Sequence, residues 1–545
     1  MEINTTTLEF DKTGFFSGLI ADYLKKEERL EPFYSFYPEP ESFEQAIQER
    51  KYNFDRELLT EVITGQNVNA EINVSEITLE NINLLKRDNT YTITTGHQLC
   101  LFTGPLYFVY KIITTINLAE ELKVKYPTCN FVPVFWMASE DHDFEEINHI
   151  HLFGKKIVWD PEEAVSGPVG KINTSTLSNE IEALREILGN TEQGRELYDL
   201  FHKAYLKHHN LSDAARYLVN ELFGKWGLVI IDAEDKRLKE ALKAVVLDDI
   251  FNQTPYHLIN KTIHELSHAG YPKAQLNPRE INLFYLKNNS RERIEKAEDG
   301  TYRVLQTSIA FSKEELKQEI EKYPERFSPN VSLRPLYQEI ILPGIAYVGG
   351  GGELAYWLQL KAVFDHYKIN FPALVLRNSL MWIDSAAAEK MIKLNLSISD
   401  LFQETAPLIN QLVVAKSHAE LSLEEEMDKL KTLYQEISEK AIAIDSTLKA
   451  AVEADLQRHL QALKHLEHKL LKAEKQKHET SINQVIKLRE KLFPGNGLQE
   501  RYDNFIPFYL KYGKAFFIAL KEQFRPFSRQ FLIIQENIQE PAKLS

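Results

Sequence analysis

Glu140, Asp141, His142 and Asp143 are four consecutive ionisable residues, and they follow at once on the apolar run Phe131 to Met137. A run of that length and composition predicts a buried parallel strand, which sets the four side chains at its carboxyl end. There they can serve as general acids and bases, or as hydrogen-bond partners of a polar substrate. Glu145, Glu146, His149 and His151 extend the cluster. The same residue types suit a divalent metal. His149 and His151, however, are expected to point to opposite sides of a strand, which weighs against one, and no metal ligand is assigned. A solvated loop is the plainest alternative.

The stretch TTGHQLCLFTGPLYFVYK, Thr94 to Lys111, sets a Gly-containing loop between a β-branched run and an amphipathic helix. Backbone N–H groups in such a loop, with the positive end of the helix dipole, favour a phosphate or carboxylate. His97 adds a donor that can carry charge, and Gln98 and Thr103 add neutral hydrogen-bonding groups. Thr95, Gly96, Gly104 and Lys111 complete the candidate binding set of this stretch. A capped turn with a packed histidine explains the same residues without a ligand.

A third stretch, Arg334 to Trp357, carries four successive glycines, Gly349 to Gly352. They let the backbone approach a ligand closely, and the helix that follows offers a second anion site. Gly350, Gly351 and Gly352 are candidates, with Glu353 and Tyr356 in the first helical turn facing the occupant. Neither a GxGxxG fingerprint nor a Walker lysine is present. Arg334 and Arg377 are of the type that binds carboxylate or phosphate in bidentate fashion. Asn378 adjoins Arg377 and is grouped with it, and ordinary surface arginines are the commoner case.

Such groups need elements to hold them. Tyr91 to Thr95 reads as a strand; after Pro105, Leu106, Val109, Ile113, Ile116 and Leu122 recur at helical spacing. Strand, loop, helix and the strand Phe131 to Met137 make a βαβ crossover. That places the His97 loop and the Glu140 cluster on one carboxyl edge of a parallel sheet, where ligands of open α/β sheets bind. A similar unit recurs as Ile345 to Val348, the glycine loop, a helix through Tyr356 to Tyr367, and Phe371 to Arg377. Gly227 to Asp235 is a further strand candidate that ends in acidic residues. The pattern predicts an α/β fold with a Rossmann-like parallel-sheet core and connecting insertions.

From Leu408 to Phe493 there is neither Gly nor Pro. Met427, Leu430, Tyr434, Ile437, Ala441, Ile444, Leu448 and Ala451 step by three and four, a heptad seam, and Leu456, Leu460, Leu463, Leu466, Leu470 and Ala473 form a second series. One continuous helix would be longer than about 100 Å, so an antiparallel hairpin of two long helices is at least as good a fit. The expected layout is a helical segment over 1–90 packed on the core, the core over 91–385, a coiled-coil arm over 386–497, and a segment over 498–545 returning to the core.

At 545 residues the chain is long enough for more than one core. Its net charge of −15 repels phosphate backbones and argues against nucleic acid as a partner. No apolar run approaches the roughly 20 residues that span a bilayer, and the first residues do not read as a secretory signal. The expected compartment is the cytoplasm. Cys100 and Cys129 are too few for a disulfide framework or a Cys-rich zinc site, and read as buried small apolar residues.

TTGHQLCLFTGPLYFVYKI, PVFWMASEDHDFEEINHI, FSPNVSLRPLYQEIILPGIAYVGGGGELAYW and LFPGNGLQERYDNF, in that order along most of the chain, resemble the successive blocks of the bacillithiol biosynthesis cysteine-adding enzyme family. The second block is the most specific. The resemblance implies a core akin to class I aminoacyl-tRNA synthetases and other nucleotidyltransferases, and a coiled coil that makes a homodimer. It implies a reaction that joins cysteine to the free amine of glucosaminyl-malate, through a cysteinyl adenylate made from ATP, with Mg2+ accompanying the nucleotide. Catalysis would be positioning plus stabilisation of displaced phosphate charge. In that picture His97 lies near the phosphates, Gly104 permits their close approach, and Glu140 to Asp143 hold substrate amines, one of them accepting the proton lost as the amide forms. Arg334 and Arg377 bind the malate carboxylates, and Gly350 to Glu353 line the pocket. In the block after the arm, Gln499, Arg501 and Asn504 are a candidate second nucleotide site.

Two readings of other classes stand beside the ligase. One is a nucleotide- or metabolite-binding coiled-coil protein without catalysis, for which the missing signature lysine is the sequence argument. The other is a metal-dependent hydrolase using the EDHD cluster.

Overall fold

The computed structural model describes residues 2–161, 165–287, 289–417 and 421–537. The chain divides into two compact units, one made of Thr6–Met381 with Glu500–Ile533, the other of Glu2–Thr5, Trp382–Gln499 and, among the described residues that follow, 534–537.

Five short apolar runs, buried along nearly their whole length, form the sheet of the first unit: β1 (Thr90–His97), β2 (Asn130–Met137), β3 (Val229–Asp232), β4 (Gly344–Gly349) and β5 (Ala373–Leu376). They lie in the order β5–β4–β1–β2–β3, and every pairing is parallel. The register sets His97 opposite Met137 and Met137 opposite Asp232, so three strands end level with one another. Helix α1 (Leu106–Lys125) makes the crossover from β1 to β2 and buries Leu106, Val109, Ile113, Ile116 and Leu122, as their spacing predicts. Ile93, Phe131, Ala346 and Val375 from four of the strands meet Leu118 of α1 and Phe43 of the N-terminal helices in one core cluster. The strand order reverses between β1 and β4, and that reversal opens a crevice at the carboxyl edge.

Two local features depart from the sequence pattern. The helix expected through Tyr356 to Tyr367 is two helices, α2 (Gly351–Leu358) and a second over Lys361–Tyr367. Between them the Gln359 side chain takes hydrogen bonds from the backbone N–H groups of Gln275 and Leu276 at 3.0 and 2.9 Å. The connecting insertions include a second, antiparallel sheet of Ala310–Phe311, Tyr302–Val304, Ser290–Lys296, Leu283–Lys287 and Phe327–Pro329, in that order.

In the second unit, α3 (Glu424–Ile444) and α4 (Leu448–Lys477) form the hairpin, and α5 (Glu479–Leu492) follows. Asp445 turns the chain, its carboxylate accepting from the N–H and hydroxyl of Thr447 at 2.8 Å. The first heptad series therefore spans a break, with Leu448 and Ala451 on the second helix. Tyr434 of α3 reaches His459 of α4 at 3.1 Å. Leu433, Ile437, Ile442 and Ile444 of α3 and Leu448, Leu466 and Leu470 of α4 stay exposed. No helix of the described residues is long and apolar enough to cross a membrane.

Between β1 and α1 the loop makes three successive left-handed residues, Phe102, Thr103 and Gly104, at φ 48°, 71° and 65°. A Cβ on Gly104 would lie 2.7 Å from that of Cys100. Gly104→Ala is therefore expected to destabilise the fold by about 1–3 kcal/mol. Gly65→Ala, inside the helix Arg56–Asn69 with open space at its Cβ, is expected to be neutral or stabilising by up to about 1 kcal/mol. Thermal denaturation of the two variants measures both.

Candidate functional site

The crevice at the switch point is a cavity of about 730 Å³. Gly96 and His97 at the end of β1, Lys111 of α1, and Gly350, Gly352 and Glu353 at the start of α2 line one side. Glu140 and Asp141 after β2, Asp232 and Glu234 after β3, and Arg291 of the antiparallel sheet line another, and Arg334, Tyr356, Arg377 and Arg501 complete the wall.

Lys111 is 2% exposed. An ammonium buried so deeply needs a countercharge and acceptors. It finds both: Nζ donates to the Gly96 carbonyl and lies 2.8 and 2.9 Å from the Glu353 carboxylate oxygens. The carboxylate also accepts from Tyr347 Oη at 2.7 Å and from the Gly350 N–H at 2.8 Å. Burial alone would raise the Glu353 pKa, but the Lys111 charge and these hydrogen bonds outweigh it and hold it at about 2. Glu353 thus caps its own helix. The start of α2 is occupied by this carboxylate, which corrects the expectation of an anion site there, and Lys111 is engaged within the wall.

His97 does not carry charge. Its Nδ1 lies 2.9 Å from the Gln98 carbonyl, which can only accept, so Nδ1 bears the proton and Nε2 is the acceptor. Burial, with the Lys111 charge, lowers its pKa to about 4. Gln98 Nε2 donates to Asp141 at 2.8 Å and to Glu146 at 2.7 Å, holding two carboxylates side by side. Glu140 is paired with the buried Lys239 at 2.6 Å and accepts from Ser328 at 2.8 Å.

Several candidates are drawn into the scaffold. The Thr95 hydroxyl donates to Val348 at 2.8 Å, tying β1 to β4. Thr103 and Gly104 turn away from the cavity, because Asn504 Nδ2 donates to the carbonyls of Phe102 and Gly104 at 2.9 and 2.6 Å and the Leu106 N–H donates to the Asp503 carbonyl at 2.8 Å. The Leu106 N–H at the start of α1 is thereby capped by the chain itself. Asn378 Nδ2 is spent on the Arg525 carbonyl at 3.0 Å. Gly351 packs against Phe16 and Ile20. Asp143 caps the short helix Phe144–Ile147, and its side chain and that of His142 lie outside the cavity lining. Arg377 reaches the wall and is ion-paired with buried Glu500 at 2.7 Å. Gln499 exchanges hydrogen bonds with the Trp382 backbone, Asn504 holds the loop, and Arg501 alone faces the cavity. His149 and His151 lie on the strand His149–Leu152 and, as residues two apart on a strand must, share a face, with ring centroids 5.6 Å apart.

Sequence reasoning missed Asp232, although the acidic end of its strand was visible. Burial raises its pKa above the ordinary carboxylate range, while Ser139 donates to it at 2.6 Å. Arg291 and Lys239 were missed outright, having no motif around them. HELSH, His264 to His268, has the spacing of a zinc-binding helix. Its two Nε2 atoms lie 3.2 Å apart on an exposed helix end, but no group of three ligands forms anywhere among the described residues.

Cys100 Sγ lies 3.8 Å from His97 Nδ1, and burial pushes its thiol up to about 12.

Residues 1–378 match the family model of the bacillithiol biosynthesis BshC N-terminal Rossmann-like domain, and residues 380–536 match that of the BshC C-terminal coiled-coil domain. A curated relative from Flavobacterium johnsoniae, named "Putative cysteine ligase BshC", is 45% identical over 97% of this chain and 99% of its own length. Relatives of the same name from Flavobacterium psychrophilum and Christiangramia forsetii are 42% and 43% identical, each over 97% of this chain and 99% of its own.

Both depressed pKa values predict acid lability. The unfolded chain takes up a proton at His97 below about 6.5 and the folded one only near 4, so stability falls as pH drops through that window. Glu353 stabilises above its ordinary 4.5, and that contribution is lost as pH falls toward 2. In a series of melting temperatures against pH, His97→Gln is expected to flatten the upper segment and Glu353→Gln the lower. Unchanged slopes would contradict the assignment.

Proposed function

The chain belongs to the BshC family of bacillithiol biosynthesis, and we propose that it is a ligase that joins cysteine to the amine of glucosaminyl-malate, with ATP activating the cysteine carboxylate. The observation that carries this reading is the mixed charge of one cavity. Asp141, Glu146 and Asp232 offer carboxylate oxygens, while Arg291 and Arg334 offer guanidinium groups that form no ion pair among the described residues. Both proposed substrates carry an amine and at least one carboxylate, and walls of both signs suit them.

Amide formation needs the carboxylate turned into an acyl group with a leaving group. The carboxylate takes up the adenylyl group of ATP as pyrophosphate departs; the sugar amine then attacks the acyl carbon, AMP leaves, and the amine loses a proton. Asp141 and Glu146, set side by side by Gln98, suit the substrate ammonium and the magnesium that accompanies the nucleotide. Asp232, with its pKa raised by burial, suits the proton released as the amide forms. Neutral His97 offers Nε2 as an acceptor to the thiol or the amine, and with a pKa of about 4 it orients rather than stores a proton. Arg334, whose guanidinium sits 5.9 Å from the Trp136 ring and 5.8 Å from that of Tyr347, and exposed Arg501 suit the phosphates. Lys111 takes no part in binding them.

A second copy of the chain is proposed to pack on the α3–α4 hairpin, in support of which Leu433, at 51% exposure, and Ile437, at 38%, leave apolar surface uncovered in one chain.

Incubation of the purified protein with cysteine and glucosaminyl-malate, with and without ATP, is expected to yield the condensed thiol with equal amounts of AMP and pyrophosphate, and only with ATP. Absence of product in folded protein would refute the ligase. Asp232→Asn is expected to lower kcat by about 10²- to 10⁴-fold at an unchanged melting temperature. Leu433→Glu with Ile437→Glu is expected to halve the mass in sedimentation; a wild-type monomer would refute the dimer.

A further inference from the structure

Arg291 has no role in any reading of the sequence, yet three hydrogen bonds and an aromatic ring hold its guanidinium in the cavity wall. It is 8% exposed, on the antiparallel insertion strand Ser290–Lys296, and its guanidinium lies 3.8 Å from the centroid of the Phe284 ring. Nε donates to Ser328 Oγ at 3.1 Å, Nη1 to His142 Nδ1 at 2.7 Å, and Nη2 to the Pro329 carbonyl at 3.4 Å. These bonds use three of its five donors, which leaves one N–H on each Nη. No carboxylate among the described residues lies within ion-pair distance of it; Glu140 and Asp141 act on its charge only from farther off, and Glu140 is committed to Lys239. A buried cation without a countercharge is costly unless something anionic completes it. Here all the fixed contacts orient the group and none neutralises it.

We propose that Arg291 recognises a carboxylate of the acceptor, and that His142 is its positioning residue. The inference rests on the ligase reading above. Two observations favour the acceptor over the nucleotide. Nucleotides of doubly wound sheets sit at the switch point, which here lies between β1 and β4, whereas Arg291 stands on the insertion sheet next to the residues that follow β2. The side chains that brace it, His142 directly and Glu140 through Ser328, come from the carboxyl end of β2. His142 itself is 46% exposed and lies outside the cavity lining, so it reaches the substrate only through Arg291. Because a guanidinium can only donate, His142 Nδ1 accepts, and the ring serves as a neutral rest that fixes one edge of the arginine.

The test measures Michaelis constants for glucosaminyl-malate, cysteine and ATP separately, together with direct calorimetric binding of glucosaminyl-malate. Arg291→Gln is expected to weaken the acceptor term on the order of 10- to 100-fold and to leave the ATP and cysteine terms within about threefold. His142→Ala, at an exposed position that leaves the fold intact, is expected to shift the acceptor term in the same direction by a smaller factor with kcat little changed. His142→Asn, whose amide oxygen can accept from Arg291, is expected to restore it. A wild-type acceptor term in Arg291→Gln would overturn the proposal and leave the ligase reading standing, and a shift confined to ATP would reassign the anion to the nucleotide and overturn it likewise. Acceptor binding that depends on Arg291 in a protein that forms no product would sustain the proposal and sink the ligase. No acceptor binding to the wild-type protein would overturn both.

Discussion

The ion pair between Lys111 and Glu353 is the contact on which the carboxyl edge of the sheet depends. A parallel sheet that reverses its strand order has a gap where two neighbouring strands send their chains in opposite directions. Here the gap is bridged by an ammonium that takes the Gly96 carbonyl near the end of one strand and Glu353 in the first helical turn after the other. Desolvating a lysine is tolerable only with acceptors on all sides, and Gly96 and Glu353 supply them. The consequence reaches past the pair. With the α2 terminus filled by its own carboxylate, Arg291 and Arg334 are left as cavity cations that form no ion pair among the described residues.

The segment from Glu500 to Asn504 closes the other half of that edge. Glu500, fully buried, takes Arg377 at 2.7 Å and the Leu380 N–H at 3.1 Å. Asn504 pins the carbonyls of Phe102 and Gly104, while the Asp503 carbonyl takes the Leu106 N–H. The group that fixes the loop after β1 stands 402 residues farther along the chain, from Phe102 to Asn504. Local sequence cannot display such a partner.

That separation marks the boundary of what the sequence disclosed. The parallel strands, the crossover helix and the placement of His97 and Glu140 on one edge were legible, because apolar runs and helical spacing are local signals. The family resemblance was legible for the same reason, in contiguous blocks. The antiparallel insertion was not, since its strands are short, mix Arg, Glu and Lys into both faces of Ser290–Lys296, and owe their order to pairing rather than to pattern. Gly104, Asn378 and Asn504 have the composition of a binding loop and the hydrogen bonds of a scaffold. The type of residue announces a polar need without saying whether backbone or ligand meets it. The charge state of His97 was misjudged likewise, because burial beside Lys111 is a three-dimensional fact.

Cys100 leads to a consequence for chemistry that the protein avoids. Thiol–disulfide exchange proceeds through the thiolate, and a group with its pKa pushed up to about 12 is ionised to only about one part in 10⁵ at neutral pH. Next to a cavity proposed to handle cysteine and to release another low-molecular-weight thiol, such a side chain is a spectator to redox traffic. Mixed disulfides with substrate or product, and the sulfenic acid that an accessible thiolate would form under peroxide, find no ready partner at this position.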